Sequence, residues 1–549
     1  MNRIFQRAVF QRNKAGQLLT ACVLRPASVA APSFSDEQAA QGLAITDKLR
    51  ACFLPPAASA QASSPLLQLP AELLAVILSC LDTRDLARLA ATCRLLCRDA
   101  LTPPPPRQIG PVETELRRRA AARGLDVGST LPEGATSWVA CLLKRDRRDA
   151  QMRQSSLALV DTHSIFVAKG GRLLTCGRHY VGFPPHLGHA VGPDANPGNT
   201  IGPPTPMPSM QDKRIVSVAN SDWHCLALSA EGEVYSWGSG EDGSLGHGDN
   251  DARAVPCRVE SLSRIERIAA GACCTSAAVD EKGRLFTWGR ARFDEWSENE
   301  DGEPEEFEGS SGLGYDLDAE MTCQLTPKRV DALSQDRVVG VALGYGFTLA
   351  VTDAGAVFSF GFSRESGLGH GSLESEVLPR RIEALAQTGR RFVAVVTGNC
   401  HALALTEEGE LYGWGDEEAN GHGREERTPQ WVAALIGQRV KLVNAQLLSS
   451  CAVTEKGELF TWGSSSGWGN FGHEGPQETP KRVEGLSGVE IAAVAMGRRH
   501  MLAADVDGVV RAFGRRRALG LGASGPEDDA AVPTPTPVPT LRVRVLNSP

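Results

Sequence analysis

Apolar and polar residues alternate in short runs along most of this chain, and seven of those runs are copies of one another. They are GRLLTCG at 171–177, GEVYSWG at 232–238, GRLFTWG at 283–289, GAVFSFG at 355–361, GELYGWG at 409–415, GELFTWG at 457–463 and GVVRAFG at 508–514. In each, a glycine opens a stretch such as Val234, Tyr235 and Trp237, and a second glycine closes it, which predicts a strand bounded by turns. The first glycines are 61, 51, 72, 54, 48 and 51 residues apart, close to the period at which repeat architectures stack one supersecondary unit on the next.

A second landmark follows most copies: HLGH at 186–189, SLGHG at 244–248, GLGY at 312–315, GLGHG at 367–371, NGHG at 420–423, NFGH at 470–473 and ALGLG at 518–522. An apolar run precedes several of them, as HCLAL at 224–228, FTLAV at 347–351 and HALAL at 401–405. Each unit therefore holds several short strands, and seven such sheets set radially make a mainly β, seven-bladed propeller over 154–549. LRVRVL at 541–546 alternates like a strand. It is expected to pair with the first unit near SIFVAKG and lock the ring.

The period changes towards the N-terminus. Within 66–100, Leu73, Leu74, Ile77, Leu78 and Leu81 recur at helical spacing, Asp82 and Thr83 interrupt, and Leu86, Leu89 and Cys93 continue on another helix. Helices this short cannot bury enough surface to stand alone, so the segment 65–105 predicts a small α-helical module that needs a partner. A basic helical connector follows over 106–153, with Arg117, Arg118, Arg119, Lys144, Arg145, Arg147 and Arg148. Without interleaved aromatics these bases read as a solvated face, with contact to nucleic acid or acidic partners as the alternative.

Residues 1–64 predict a disordered tail and linker. Five bases and no acid within 1–35 raise the alternative of an organelle transit peptide. The net charge of −8 is local in origin: 294–308 holds nine acids and no base, and the rest sums to +1. That balance argues against a nucleic-acid protein, and the acidic run predicts a solvated, low-complexity loop. Fourteen scattered cysteines without zinc spacing fit a reducing compartment, cytoplasm or nucleus. No apolar run is long enough to span a bilayer.

His247, His370, His422 and His473 invite a metal or catalytic reading. Equivalent positions in successive units would stand too far apart to share an ion, and a bond to the backbone of a neighbouring turn explains them more simply. No cofactor, metal or catalytic residue is expected.

The 154–549 region resembles the regulator of chromosome condensation repeat family, whose unit is a glycine-led strand ending in WG and then an LGHG turn. It departs from the pattern at Cys176 and Phe513, which stand in tryptophan positions, and at Tyr315 and Leu521, which stand in histidine positions. The 66–98 segment resembles the F-box. Leu69, Pro70, Leu74, Ile77, Leu78, Leu81, Leu86 and Leu89 match the positions that in that family dock on a Skp-type adaptor of a cullin ubiquitin ligase. The tryptophan that many members carry in the last helix is replaced here by Leu96-Cys97.

The two resemblances together imply a substrate-recognition adaptor, with the module on a Skp-type adaptor and cullin scaffold and the propeller loops on a protein substrate. Loops near 179–186, 294–311 and 419–428 differ most from the repeat. The alternative is a guanine-nucleotide exchange factor for a small GTPase, or a chromatin-associated regulator. Light sensing, known in plant relatives, needs GWRHT; the nearest match is GRRHM at 497–501, with Arg498 in the tryptophan position.

Overall fold

The computed structural model describes residues 9–12 and 18–21 and most of 157–543, the longest stretches left out between 157 and 543 being 179–187, 190–199 and 516–530. The chain forms two compact units, Met1–Asp149 and Ala150–Pro549. In the first, the described residues form one antiparallel hairpin, Val9–Arg12 with Leu18–Ala21. The F-box-like helices, the connector and the rest of the tail lie outside the described residues.

The second unit contains seven four-stranded antiparallel sheets among its described residues. Blade 2 is typical: Ile215–Asn220, His224–Ser229, Val234–Gly238 and Arg253–Arg258, paired in chain order. First strands of successive blades are neighbours around the ring, including those of blades 7 and 1. Each blade therefore runs outward from its first strand to its fourth. Second strands are buried along their whole length, as in HCLALS and HALALT, because they have a sheet neighbour on both sides and a blade on both faces.

The repeated tryptophans fill the gaps between blades, as the sequence predicts. Trp237, on the third strand of blade 2, packs with Ile165, Val167 and Met207 of blade 1. Trp288, Trp414 and Trp462 repeat this against blades 2, 4 and 5. Each indole Nε1–H also donates to the turn of the preceding blade: Trp288 to Ser244 O at 2.9 Å, Trp414 to Gly367 O at 2.9 Å and Trp462 to Ala419 O at 2.8 Å. The LGHG turn supplies that seat. A Cβ on Gly246 would lie 2.9 Å from Trp288 Nε1, and on Gly369 2.8 Å from Trp414 Nε1; both glycines have positive φ. The two motifs recur together because each blade's turn is shaped to the next blade's tryptophan.

Ring closure meets the expectation in part. The C-terminal strand, Ala531–Arg542, is the fourth strand of blade 7, paired with Val509–Arg515, and just beyond it Val543 bridges to Ala168 of the first sheet among the described residues. At this seam Cys176 occupies the tryptophan position, and Val538, Leu541 and Val543 from the C-terminal segment fill the gap with Leu157, Leu159 and Phe166.

The strand also absorbs the proline run that separates the sequence repeats from LRVRVL. Pro535 and Pro537 flank Thr536, which stands opposite Ala512, within a strand that has two register breaks. Prolines are tolerated on an outer strand of this kind, where a missing N–H need cost no ladder bond. Blades 2 to 6 place one proline each in the same strand: Pro256, Pro327, Pro379, Pro429 and Pro480.

Candidate protein-interaction face

Antiparallel order sends the connections between first and second strands, and between third and fourth, out of the same face of the ring. The third-to-fourth connections are the long ones: 179–199, 239–252, 291–322, 362–375, 416–425, 464–476 and 516–530. Together they hold 27 acidic and five basic residues, against 25 acidic and 31 basic in the rest of 157–549. Among the described residues these connections place ten acidic side chains, in blades 2 to 5, and one basic side chain, Arg424, on that face, which makes the described part of it acidic. The sequence reading found only the 294–308 part of this. The wider asymmetry shows once strand order says which connections share a face.

The largest connection, in blade 3, is not the structureless loop that its composition suggests. Arg292–Glu298 and Pro304–Ser310 pair as an antiparallel ribbon in which Asp294 opposes Glu308 and Trp296 opposes Glu306. Phe293, Trp296 and Phe307 are strand-forming residues spaced among the acids, and they outweigh the low-complexity signal. At the base of the face, Asp242 in the blade 2 turn pairs with Arg290 of blade 3 at 2.7 Å and ties the two blades together.

The histidines of the LGHG turns serve the scaffold, though with a different partner from the one expected. His247 Nε2 lies 2.9 Å from Ser236 Oγ, His370 Nε2 2.8 Å from Ser359 Oγ and His473 Nε2 3.1 Å from Thr461 Oγ1, each within its own blade. Those hydroxyls donate to the turn carbonyls of Leu245, Leu368 and Phe471, so they accept from Nε2–H, which fixes the tautomer. His422 instead meets a backbone carbonyl, Gly413 O at 3.3 Å, because blade 5 has no hydroxyl there. Tyr315 fills the position in blade 3 and donates to Thr287 O at 2.9 Å. Partial burial lowers the pKa values of His247 and His370 below the usual histidine value.

A second set of histidines links blades near the start of the second strands. His224 Nε2 is 2.7 Å from Ser276 Oγ of blade 3, His401 Nε2 2.7 Å from Ser450 Oγ of blade 6, and His500 Nε2 2.9 Å from Ser164 Oγ across the seam between blades 7 and 1. The sequence reading missed these, although the HxLAL spelling of the strands carried the signal.

Leu69, Pro70, Leu74, Ile77, Leu78, Leu81, Leu86 and Leu89 all lie outside the described residues, as do 179–186 and Arg498. No described group of three or more His, Cys, Asp or Glu side chains is placed to hold a metal ion. The cysteines Cys176, Cys225, Cys257, Cys274, Cys323, Cys400 and Cys451 are free thiols.

Seven four-stranded sheets in a ring, with histidines and tryptophans committed to holding blades together, define a β-propeller protein. Comparison with known proteins agrees. The RCC1-like domain family matches residues 139–464, the regulator of chromosome condensation (RCC1) repeat matches 456–504, and an F-box-like domain matches 66–103. The chain belongs to the RCC1-like domain family and carries an F-box-like domain ahead of its propeller.

Relatives include the ultraviolet-B receptor UVR8 of Arabidopsis thaliana, 37% identical over 215 residues, 39% of this chain and 43% of that protein. The E3 ubiquitin-protein ligase HERC2 of Homo sapiens is 36% identical over 329 residues, 58% of this chain and 6% of that protein. The chain thus spans less than half the length of either. Among solved structures, Prp20p of Saccharomyces cerevisiae aligns with a TM-score of 0.54 at 21% identity, covering 71% of this chain and 89% of that one, and supports the fold.

Proposed function

We propose that this protein is a substrate-recognition adaptor of a cullin-type ubiquitin ligase. The observation that carries the reading is the F-box-like match at 66–103 in the same chain as a propeller. Leu69, Pro70, Leu74, Ile77, Leu78, Leu81, Leu86 and Leu89 supply the contacts to a Skp-type adaptor, and the acidic face holds a protein substrate through a basic segment. The chain contributes no chemistry of its own; it positions the substrate for ubiquitin transfer in cytoplasm or nucleus. The test is a pull-down of the full chain beside its Leu78→Glu, Leu81→Glu variant. Skp-type and cullin subunits are expected with the former and absent from the latter, and their absence from both ends the proposal.

One observation favours the alternative of an exchange factor or chromatin-associated regulator. The solved Prp20p structure is described together with its binding to Gsp1p and histones, and the ribbon of blade 3 offers a projecting element on the acidic face. Accelerated nucleotide release from a small GTPase, lost on deletion of 293–309, would carry that reading; no acceleration of any GTPase would end it.

A further inference from the structure

We propose that Thr534 is a phosphoacceptor for a proline-directed protein kinase, and that its phosphate loosens the C-terminal strand that closes the ring. Thr534 is exposed on the outermost strand of blade 7 and is followed by Pro535. Its hydroxyl makes no hydrogen bond among the described residues. The fold supplies its own controls. Thr326, Thr428 and Thr479 precede the prolines of the fourth strands of blades 3, 5 and 6, and each hydroxyl pairs with a glutamine amide, of Gln324, Gln430 and Gln477. Thr205 in blade 1 is also not free. Thr536, two residues beyond Thr534, is half-buried and donates its hydroxyl to Thr534 O at 3.1 Å.

The strand that carries Thr534 is also the one most readily presented as an extended peptide. The fourth strands of blades 2 to 6 hold their third strands with one register break each. Ala531–Arg542 has two, and no ladder pair falls between Pro537 and Arg542. Pro535 and Pro537, on either side of Thr536, have no N–H to donate to a neighbouring strand.

Transfer is balanced with a nucleoside triphosphate as donor. Thr534 Oγ1 attacks the γ-phosphorus, the bond to the β-phosphate oxygen breaks, and the hydroxyl proton passes to the kinase's base. The product carries roughly two negative charges. Its surroundings do not welcome them. Pro535 Cδ lies 3.0 Å from where a Cβ on Gly485 would be, which sets Thr534 beside the Glu484–Leu486 turn of blade 6 and its acidic first residue. Repulsion there bears on the strand whose Val538 and Leu541, with Val543 just beyond, fill the seam to blade 1.

The full-length chain, incubated with a mitogen-activated-type proline-directed kinase and Mg-ATP and mapped by mass spectrometry, should carry phosphate on Thr534 at least tenfold faster than on Thr205, Thr326, Thr428, Thr479 or Thr536. Absence from Thr534, or equal labelling of the others, overturns the acceptor assignment. In urea, Thr534→Glu should unfold at a lower midpoint than Thr534→Gln, and the gap should shrink in a Glu484→Gln background. Equal midpoints overturn the loosening.

Discussion

Two histidines buried between blades should make the propeller acid-sensitive by an amount that can be worked out. His401 and His500 are fully buried, and burial pushes both from the ordinary 6.5 to about 3. The cause is visible at each ring. Ser450 Oγ donates to Ala419 O at 2.9 Å and so takes its other hydrogen bond from His401 Nε2–H, while Nδ1 of both histidines has no partner among the described residues. Protonating Nδ1 would bury a charge with nothing to receive it.

The folded pKa lies below the unfolded one, so the contribution to stability is intact above pH 6.5. It is lost as pH falls from 6.5 towards 3, because only the unfolded chain takes up the proton. Between pH 7 and pH 5 that linkage is about 2 kcal/mol per ring, or about 4 kcal/mol for the pair. At pH 5 the folded rings are neutral, so the size is set by the unfolded chain.

The assay is urea unfolding of the full chain and of a His401→Gln, His500→Gln variant at both pH values. Glutamine keeps an Nε2–H donor and does not titrate. His247, His370 and the carboxylates contribute alike to both proteins and cancel in the difference. The variant should lose about 4 kcal/mol less than the parent on acidification, whatever its stability at pH 7. An equal loss in the two proteins would refute the burial argument.

Other outcomes follow from the same packing. Trp462→Ala should cost about 3–5 kcal/mol in denaturation experiments, whereas Trp431→Ala, at an exposed position on the rim of blade 5, should change stability by less than about 0.5 kcal/mol. Gly246→Ala should cost clearly more than Gly437→Ala: both have positive φ, but a Cβ meets Trp288 only at the first and open space at the second.

The ring was legible because its rule is local. A glycine-led alternating run, a closing WG and an LGHG turn each report a contact with the next blade, so seven copies state the same packing. Fourth strands were much less legible. RAVPCR and EVLPRR alternate poorly and contain proline, since an outer strand packs on one side only and its pairing is dictated by the third strand. Closure was read only in part, since Val543 does meet Ala168 of the first sheet while the strand before it completes blade 7. LRVRVL has a strand pattern, but nothing in a hexamer says which of two adjacent blades it completes. The histidine partners escaped because Ser236 and His247 are eleven residues apart and meet only when the turn between them is folded. The candidate site was least legible of all, because an acidic face is a sum over seven connections whose common direction depends on strand order.

The copies also act as controls for one another, and the departures among them sort into two kinds. Some are compensated inside the fold. In blade 5, Gly413 replaces the hydroxyl residue and Asn420 replaces the leucine of the turn. A Cβ at Gly413 would lie 2.1 Å from Asn420 O, and Asn420 donates to Gly415 O and Arg424 O. The close approach of the turn backbone calls for glycine at 413, and the Asn420 amide holds the turn that approaches it, so folding accounts for both. Cys176 with the C-terminal apolar residues is another such exchange.

Other departures have no internal answer. Trp431 stands where blades 2, 3, 4 and 6 carry Arg258, Arg329, Arg381 and Arg482, and Ile436 stands where Ser263, Ser334, Ala386 and Ser487 occur; both apolar side chains are exposed. Blade 3 departs in sequence as well, its 291–322 connection holding twelve acids where no other third-to-fourth connection holds more than four. Packing explains why this chain is a ring, and a feature that packing leaves unexplained in one blade alone is where a requirement other than folding has acted. By that criterion the acidic face and the rim of blade 5 are the surfaces on which substitutions should change binding while leaving the denaturation midpoint where it was.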